Sequence, residues 1–525
     1  LKQLKKLPLN LTYQYGNKNM KELVSPAIPS SQPISRKKIL LVDLNNEANY
    51  PTMAIGTLST PLKQAGYEVD VFAPLAQGVK ALARDQQETF IDYVVARIFY
   101  SGNSFLIWAN DFIYSTYHRW RFRSNKHQLN AFRKQLDQKR YDGVMVSCYL
   151  QYYPLLVNIA AEAKRQDIPL LLGGPYFNQS KVAERWLEID GVDIVFGGEA
   201  DFIIPQLAEA LITGEGLKEI QGLFRKEVTL IGQQANPIQL TDDLPIPDFS
   251  YFNWDNYPHR VLPVMTARGC EWGHCLFCSD VTTASTRTFR TRNLESVLKE
   301  LKTQSDRYQL KTFIFFDSKL NSDLKIWYGL IQEFQQVIPS ATWVASVHVD
   351  AKGENGLEAD TMRKAFDSGL RRISFGLETA SQQLNKRMLK GTDLDRTSQF
   401  IKDTHSAGIS IRTTVILGYP GERARDVQAT ADFLSEHFEY LDRVKLSRFK
   451  AIPGTAFDER LEKKPHKYPS VINHRWDFQY AKAIFEYPPA REKNYRKAKS
   501  NLLKVIHRIN KKPLMDNAQQ FNGLM

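Results

Sequence analysis

Arg268-Gly269-Cys270-Glu271-Trp272-Gly273-His274-Cys275-Leu276-Phe277-Cys278 gathers three of the chain's four cysteines into nine residues. Thiolates suit iron-sulfur clusters and zinc, and cysteines this close in a chain with no disulfide framework read as a metal site. Three thiolates with an open fourth position are what a cluster needs if one iron is to bind a small molecule directly. For the motif by itself, the alternative is a structural zinc site in which His274 supplies the fourth ligand. The remaining cysteine, Cys148, lies far upstream in an apolar run over residues 144–150 and reads as a small core residue.

Working outward, the residues just before the motif, 261–267, form an apolar run that predicts a strand. Downstream, residues 312–317, 343–349, 372–379, 409–417 and 443–449 repeat that pattern, and amphipathic stretches over 294–304, 359–368, 393–407 and 424–437 lie between them. A helix after each strand predicts a parallel sheet. In such sheets ligands sit at the carboxyl ends of the strands, so the residues closing each apolar run are the ones that carry chemistry.

Those closing residues resemble a family. Gly269-Cys270 opening the motif, Phe277-Cys278 ending it and its place after a strand are similar to the cluster motif of the radical S-adenosylmethionine (SAM) enzymes. The usual spacing there is three residues and then two; here it is four and then two. Gly376-Leu377-Glu378-Thr379 resembles that superfamily's fourth-strand motif, Ile416-Leu417-Gly418-Tyr419-Pro420-Gly421-Glu422 its fifth-strand turn, and Pro453-Gly454-Thr455 the turn after its sixth strand. A glycine-rich turn after a strand is more often punctuation than a binding site; their order behind the three cysteines carries the resemblance. It implies a 4Fe-4S cluster on Cys270, Cys275 and Cys278. It also implies SAM contacts from Phe277, Asp317, Glu378, Thr379, Ile416 and Gly418.

The first half of the chain reads as a second parallel sheet. Residues 37–43, 67–72, 141–148, 170–172 and 194–196 are strand-like, with helical patterns over 55–65, 153–165 and 179–187. Gly173-Gly174-Pro175 and Gly197-Gly198-Glu199-Ala200-Asp201 resemble signatures of the cobalamin-binding domain found upstream of many radical SAM enzymes; a generic flavodoxin-like domain is the alternative. The resemblance implies cobalamin contacts from Asn49, Tyr50, Ser147, Tyr149, Gly173, Gly174, Pro175, Gly198 and Glu199. The Asp-x-His-x-x-Gly motif that places a histidine under cobalt in other cobalamin proteins is missing from the post-strand loops. The loop over 44–53, with Asn49 and Tyr50, is the expected neighbour of that lower face, and His118 and His127 in the following insertion are the histidines left to test.

The expected fold class is therefore α/β. A tail or arm over 1–35 precedes an N-terminal doubly wound Rossmann-like cobalamin-binding domain over 36–220, which carries a helical insertion over 77–139. A linker over 221–255, a partial (β/α)6 radical SAM barrel over 256–456 and a small, mostly helical C-terminal region over 457–525 follow. The insertion is rich in aromatics, including Phe90, Tyr93, Phe99, Tyr100, Phe105, Trp108, Phe112, Tyr114, Tyr117 and Trp120, and reads as a small subdomain or as a cover for the cavity. The formal charge of +13 is scattered, and residues 491–512 form a basic amphipathic helix suited to docking on its own domain, so nucleic acid is an unlikely partner. No secretory leader is read in residues 1–35, no stretch is long and apolar enough to span a bilayer, and a cytoplasmic location would keep thiolates reduced.

The family resemblance implies an enzyme with three cofactors: a 4Fe-4S cluster, SAM and cobalamin. The function it points to is methylation of an unactivated carbon of a peptide or small natural-product precursor, through a 5'-deoxyadenosyl radical and methylcobalamin. An electron donor such as flavodoxin or ferredoxin would serve it. Two alternatives stay open: rearrangement, cyclisation or oxidation without methyl transfer, and a cobalamin- or SAM-responsive sensor. The tRNA methylthiotransferases share the cluster motif but carry further N-terminal cysteines, where this chain has only Cys148.

Overall fold

The structure, a computed structural model, describes residues 37–44, 49–73, 75, 86–101, 126–226, 234–240, 244–280, 287–351 and 353–524. The tail expected over 1–35 lies outside them. Its first sheet contains β1 (Lys38–Asp43), β2 (Glu68–Phe72), β3 (Gly143–Ser147), β4 (Leu170–Gly173), β5 (Ile194–Phe196) and β6 (Leu223–Arg225), in the order β2-β1-β3-β4-β5-β6. Strand β1 shows why its sequence is an unbroken apolar run. Ile39 and Leu41 join one core with helices Met53–Gln64 and Ile204–Thr213, while Leu40 and Val42 join another with helices Tyr153–Arg165 and Ser180–Leu187. A parallel strand covered on both faces cannot alternate with polar residues. The order reverses between β1 and β3, and the crevice at their carboxyl ends is the usual ligand site of a doubly wound sheet.

In this half one strand departs from the sequence reading. β6 falls in the stretch read as a linker over 221–255 and runs antiparallel to β5. At three residues it is too short to show a period. In the insertion, helix Phe90–Phe99 and helical residues 126–138 agree with the expectation, but Phe105, Trp108, Phe112, Tyr114, Tyr117 and Trp120 lie outside the described residues. Of the described aromatics, Tyr93 stacks on His507 at 4.6 Å and the Tyr100 hydroxyl donates to Leu446 O at 2.8 Å, so this helix packs on the C-terminal half.

The second sheet is built from β7 (Leu262–Val264), β10 (Thr312–Phe315), β11 (Thr342–Val347), β12 (Leu370–Glu378), β13 (Ser410–Leu417) and β14 (Arg443–Arg448). All are parallel, in the order β14-β13-β12-β11-β10-β7. The strand expected over 261–267 is divided: β7 ends at Val264, and β8 (Ala267–Arg268) turns away to pair antiparallel with β9 (Arg290–Thr291). The division follows from Asp317, whose carboxylate accepts from Thr266 N and Ala267 N and so bends the chain after β7.

The C-terminal region, read as mostly helical, also contains a hairpin of β15 (Ile472–Asp477) and β16 (Lys482–Glu486). Its residues are half-buried or exposed, which leaves little apolar periodicity to detect. Helix Lys493–Asn510 forms where a basic amphipathic helix is read and docks on its own domain. Leu502 and Ile506 face the core, and Asn510 closes the free edge of β14: Val444 N donates to its Oδ1 at 2.7 Å, and its Nδ2 donates to Val444 O at 2.9 Å. Among the described residues no helix is long and apolar enough to cross a membrane. Because Asn510→Ala strips two buried backbone groups of their partners, it is expected to lower unfolding stability by roughly 2–4 kcal/mol in a denaturant titration.

Candidate functional site

The carboxyl ends of the two sheets face one cavity of about 780 Å³. Asp43, Tyr50, Ser147, Tyr149, Gly173 and Pro175 line its first-sheet side, and Met265, Arg268, Cys278, Asp280, Phe316 and Ser318 its second-sheet side. Of the residues expected at cobalamin, Tyr50, Ser147, Tyr149, Gly173, Gly174, Pro175, Gly198 and Glu199 lie on this wall. Asn49 does not: it is buried, and its Nδ2 donates to Gly523 O at 2.7 Å. Tyr50 reaches across to Phe316, with ring centroids 5.5 Å apart. Among the described residues no histidine lines the cavity; His127 is exposed on its helix, and His118 lies outside them.

Two of the three glycines on this wall are required by packing. A Cβ on Gly174, at φ +141°, would lie 2.2 Å from Cys148 O, and one on Gly198 would lie 2.5 Å from the Ala235 Cβ. Both are small because protein packs against them. Gly173 alone of the three has room, with Phe196 O at 3.9 Å as the nearest atom. Cys148 behaves as the core residue expected: it is buried, burial pushes its thiol up, and its Sγ donates to Tyr149 O at 3.2 Å.

On the opposite side the cysteine loop is held through its backbone. Arg287 donates to the carbonyls of Gly273, Cys275 and Cys278, Leu276 N donates to Met388 O at 3.0 Å, and the Trp272 indole donates to Leu389 O at 2.8 Å. The three thiols remain free of these bonds. Burial raises the Cys275 thiol and pushes that of Cys278 up to about 11. Two lysines stand beside them: Lys319, paired with Cys270, and buried Lys390, in charge range of Cys275. His274 is exposed and meets Trp272 edge-on at 5.2 Å. Among the described residues no three His, Cys, Asp or Glu side chains converge on a point that one metal ion could occupy.

The residues expected at SAM divide into two groups. Glu378 sits at φ +60°, where β12 slips register against β13. Its Oε1 accepts from the Thr414 hydroxyl at 3.1 Å, Lys390 Nζ is 3.8 Å away, and burial holds its carboxyl above the usual range. A non-glycine residue held there stores strain of the kind found at functional sites. Gly418, at φ +85°, has nothing within 4 Å of where a Cβ would stand. Phe277 and Ile416 share an apolar cluster with Leu276, Met388 and Tyr419. Asp317 and Thr379 instead hold the scaffold. Asp317 takes four hydrogen bonds from Thr266 and Ala267, and burial still pushes it up to about 6; the Thr379 hydroxyl is committed to Thr430 and to the amide of Ser381.

Sequence reasoning missed Arg287, Lys319 and Lys390 as site residues. Isolated cations in loops carry no periodic signal, although Lys319 follows shortly after the strand-ending Asp317. It also missed what the C-terminal aromatics do. Tyr487 donates to Glu422 O at 2.7 Å and accepts from Gly421 N at 3.0 Å, while Tyr495 donates to the Glu422 carboxyl, which also accepts from Gly418 N at 2.7 Å. Residues far along the chain thus hold the turn after β13.

The radical SAM superfamily pattern matches residues 264–434, the span that contains the three cysteines, Glu378 and Gly418. Those residues are a radical SAM domain. The chain is similar to an uncharacterised methyltransferase of Pyrococcus horikoshii, 27% identical over 305 residues that cover 56% of this chain and 64% of the relative. Bacteriochlorophyllide d C-12(1)-methyltransferase of Chlorobaculum tepidum is 25% identical over 252 residues, covering 46% and 52%. The matches thus span between half and two thirds of these relatives' length. The radical SAM methyltransferase TsrM of Kitasatospora setae, solved with cobalamin and a [4Fe-4S] cluster bound, superposes over 90% of this chain and 91% of its own, with a TM-score of 0.64 and 15% identity. The radical SAM domain is therefore joined to its first sheet in the same overall fold.

The turn after β13 has a pH signature. Burial pushes Glu422 up to about 7 from its ordinary 4.5, so the folded state binds its proton more tightly than the unfolded chain. Its contribution to stability is complete below about 4.5 and is lost as pH rises through about 7. Glu422→Gln keeps the acceptor for Tyr495 and Gly418 but has no proton to lose. The melting temperature of the variant relative to the natural protein should climb between about pH 5 and pH 8; a constant gap would refute the assignment.

Proposed function

We propose that this chain is a cobalamin-dependent radical SAM methyltransferase acting on a carbon of a peptide or small natural-product precursor. The observation that carries the proposal is the shared cavity: Ser147, Tyr149 and Gly173 at the carboxyl ends of one sheet and Cys278 of the cysteine loop at the other border the same space. Two cofactors can act on one substrate only if both are presented to it at contact distance.

The residues fit the groups. Cys270, Cys275 and Cys278 would hold a 4Fe-4S cluster, whose ligands stand farther apart than those of a single ion, and Lys319 and Lys390 would offset its negative charge. Gly173 and Pro175, with Ser147 and Tyr149, would border cobalamin, and the open side of Gly418 would admit the adenine of SAM. When bound, these groups supply a transferable methyl and the electron that cleaves SAM, chemistry beyond any side-chain acid or base. The chain's own residues position and shield: Tyr50 and Phe316 bridge the cavity, and Arg287 fixes the cysteine loop. A methylthiotransferase reading is disfavoured because Cys148, the first sheet's only described cysteine, is buried with a raised thiol.

Anaerobic reconstitution is expected to load about four irons per chain, and Cys275→Ala to lose them while Cys148→Ala keeps them. One zinc per chain would overturn the cluster. With substrate and reductant, S-adenosylhomocysteine and 5'-deoxyadenosine should accumulate together, and the product should gain the mass of a methyl group. A product formed with 5'-deoxyadenosine but no S-adenosylhomocysteine would replace methyl transfer by rearrangement, cyclisation or oxidation. Cofactor binding without SAM cleavage would favour a sensor.

A further inference from the structure

The loop after β5 carries Glu199 and Asp201, acids on the cavity wall that a ligand-centred reading would give to cobalamin. Their oxygens are already taken. Arg268 forks onto Asp201, with Nη2 at 2.6 Å from Oδ1 and Nη1 at 2.9 Å from Oδ2, and reaches Glu199 Oε1 at 3.3 Å. Arg290 forks onto Glu199 at 2.6 and 3.0 Å, and Ile238 N adds a bond to Glu199 Oε2 at 2.9 Å. The four side chains are 5–17% exposed.

Arg268 and Arg290 stand directly opposite each other in the β8–β9 ribbon. Like charges facing across a strand pair repel, and partial burial worsens the repulsion, so this register needs negative charge between the two. Glu199 and Asp201 provide it, and they come from the other sheet. The same ribbon brackets the cysteine loop: Cys270 follows Arg268 by two residues, and Arg287, which holds the carbonyls of Cys275 and Cys278, precedes Arg290 by three.

We infer that Glu199, Asp201, Arg268 and Arg290 form a charge clamp that fixes the cysteine loop in register with the first sheet, and that Glu199 is a positioning residue and not a cobalamin ligand. Buried ion pairs add little net stability over apolar packing, because desolvation offsets their attraction, yet removing one partner is costly, so a pair once formed holds the geometry that satisfies both charges. The geometry held here is the separation of the two halves of the cavity. The mechanical part of this inference is independent of the proposed function. Only its consequence for cobalamin and SAM rests on that reading.

Amide hydrogen exchange on the full, cofactor-free chain tests the clamp. Glu199→Gln should accelerate exchange in residues 266–278 and in residues 197–201 together, by about tenfold or more, the scale of losing a buried charge-assisted hydrogen bond. Arg290→Gln should reproduce the effect, and the double variant should be accelerated by less than the product of the two single factors, since both remove the Arg290–Glu199 contact. Arg290→Lys, which keeps the charge but loses the fork, serves if the neutral variants fail to fold, and should accelerate both segments by a smaller factor. Acceleration on one side alone, or additive effects in the double variant, would overturn the clamp. On the cofactor-loaded chain, Glu199→Gln should bind cobalamin as the natural protein does, while any change in SAM affinity on adding cobalamin is lost. Loss of cobalamin with unchanged exchange would make Glu199 a ligand and sink the inference; a chain that binds no cobalamin at all would refute the proposed function and leave the exchange result to decide the clamp.

Discussion

A parallel strand delivers the side chains that follow it to one end of its sheet, and two such sheets in this chain have their delivering ends turned toward each other. The other features of the site follow from that constraint. The cavity borders both Gly173 and Cys278, Tyr50 can reach Phe316, and a ribbon of only two residues per strand can carry a cysteine loop because acids from the opposite sheet meet its arginines. Neither half could form this wall alone.

The site is built by committing backbone and charge in advance. The carbonyls of the cysteine loop are occupied by Arg287, the turn after β13 by Tyr487 and Tyr495, and the bend after β7 by Asp317. Each is a polar bond made in a partly or wholly buried place, where an unmade bond is expensive, so the geometry is strongly specified. In the proposed function, the thiols of the loop, the Glu378 carboxyl near Lys390 and the open side of Gly418 would be the places that meet ligands.

The C-terminal segment has a larger part than its position suggests. Helix Lys493–Asn510 closes the edge of β14 through Asn510, and its Tyr495 holds Glu422; Glu88 meets both His507 and Asn510 beside the insertion helix. An open sheet of parallel strands leaves an edge with unpaired backbone groups, and covering it protects the fold from pairing with another chain.

The amino-acid sequence by itself determined the fold class, the main parallel strands of both halves and the cysteine loop, because a buried parallel strand is a continuous apolar run and a helix is amphipathic with its own period; the short strands β6, β8 and β9 and the half-exposed hairpin β15–β16 carry no such period. For the same reason it placed eight of the nine residues expected at cobalamin on the cavity wall, while none of the six expected at SAM lines it. It could not decide what those residues do once there. Gly174 reads as a cobalamin contact, and Cys148 O fills the space that its Cβ would need; Asp317 reads as a SAM contact, and Thr266 and Ala267 take its oxygens. Glu199 reads as a cobalamin neighbour, yet Arg290 sits on its carboxylate. Arg287, Lys319, Lys390 and Tyr495 carried no signal at all, since an isolated charge or aromatic acquires a role only from partners tens to hundreds of residues away. Those pairings are long-range, and only the tertiary structure decided them.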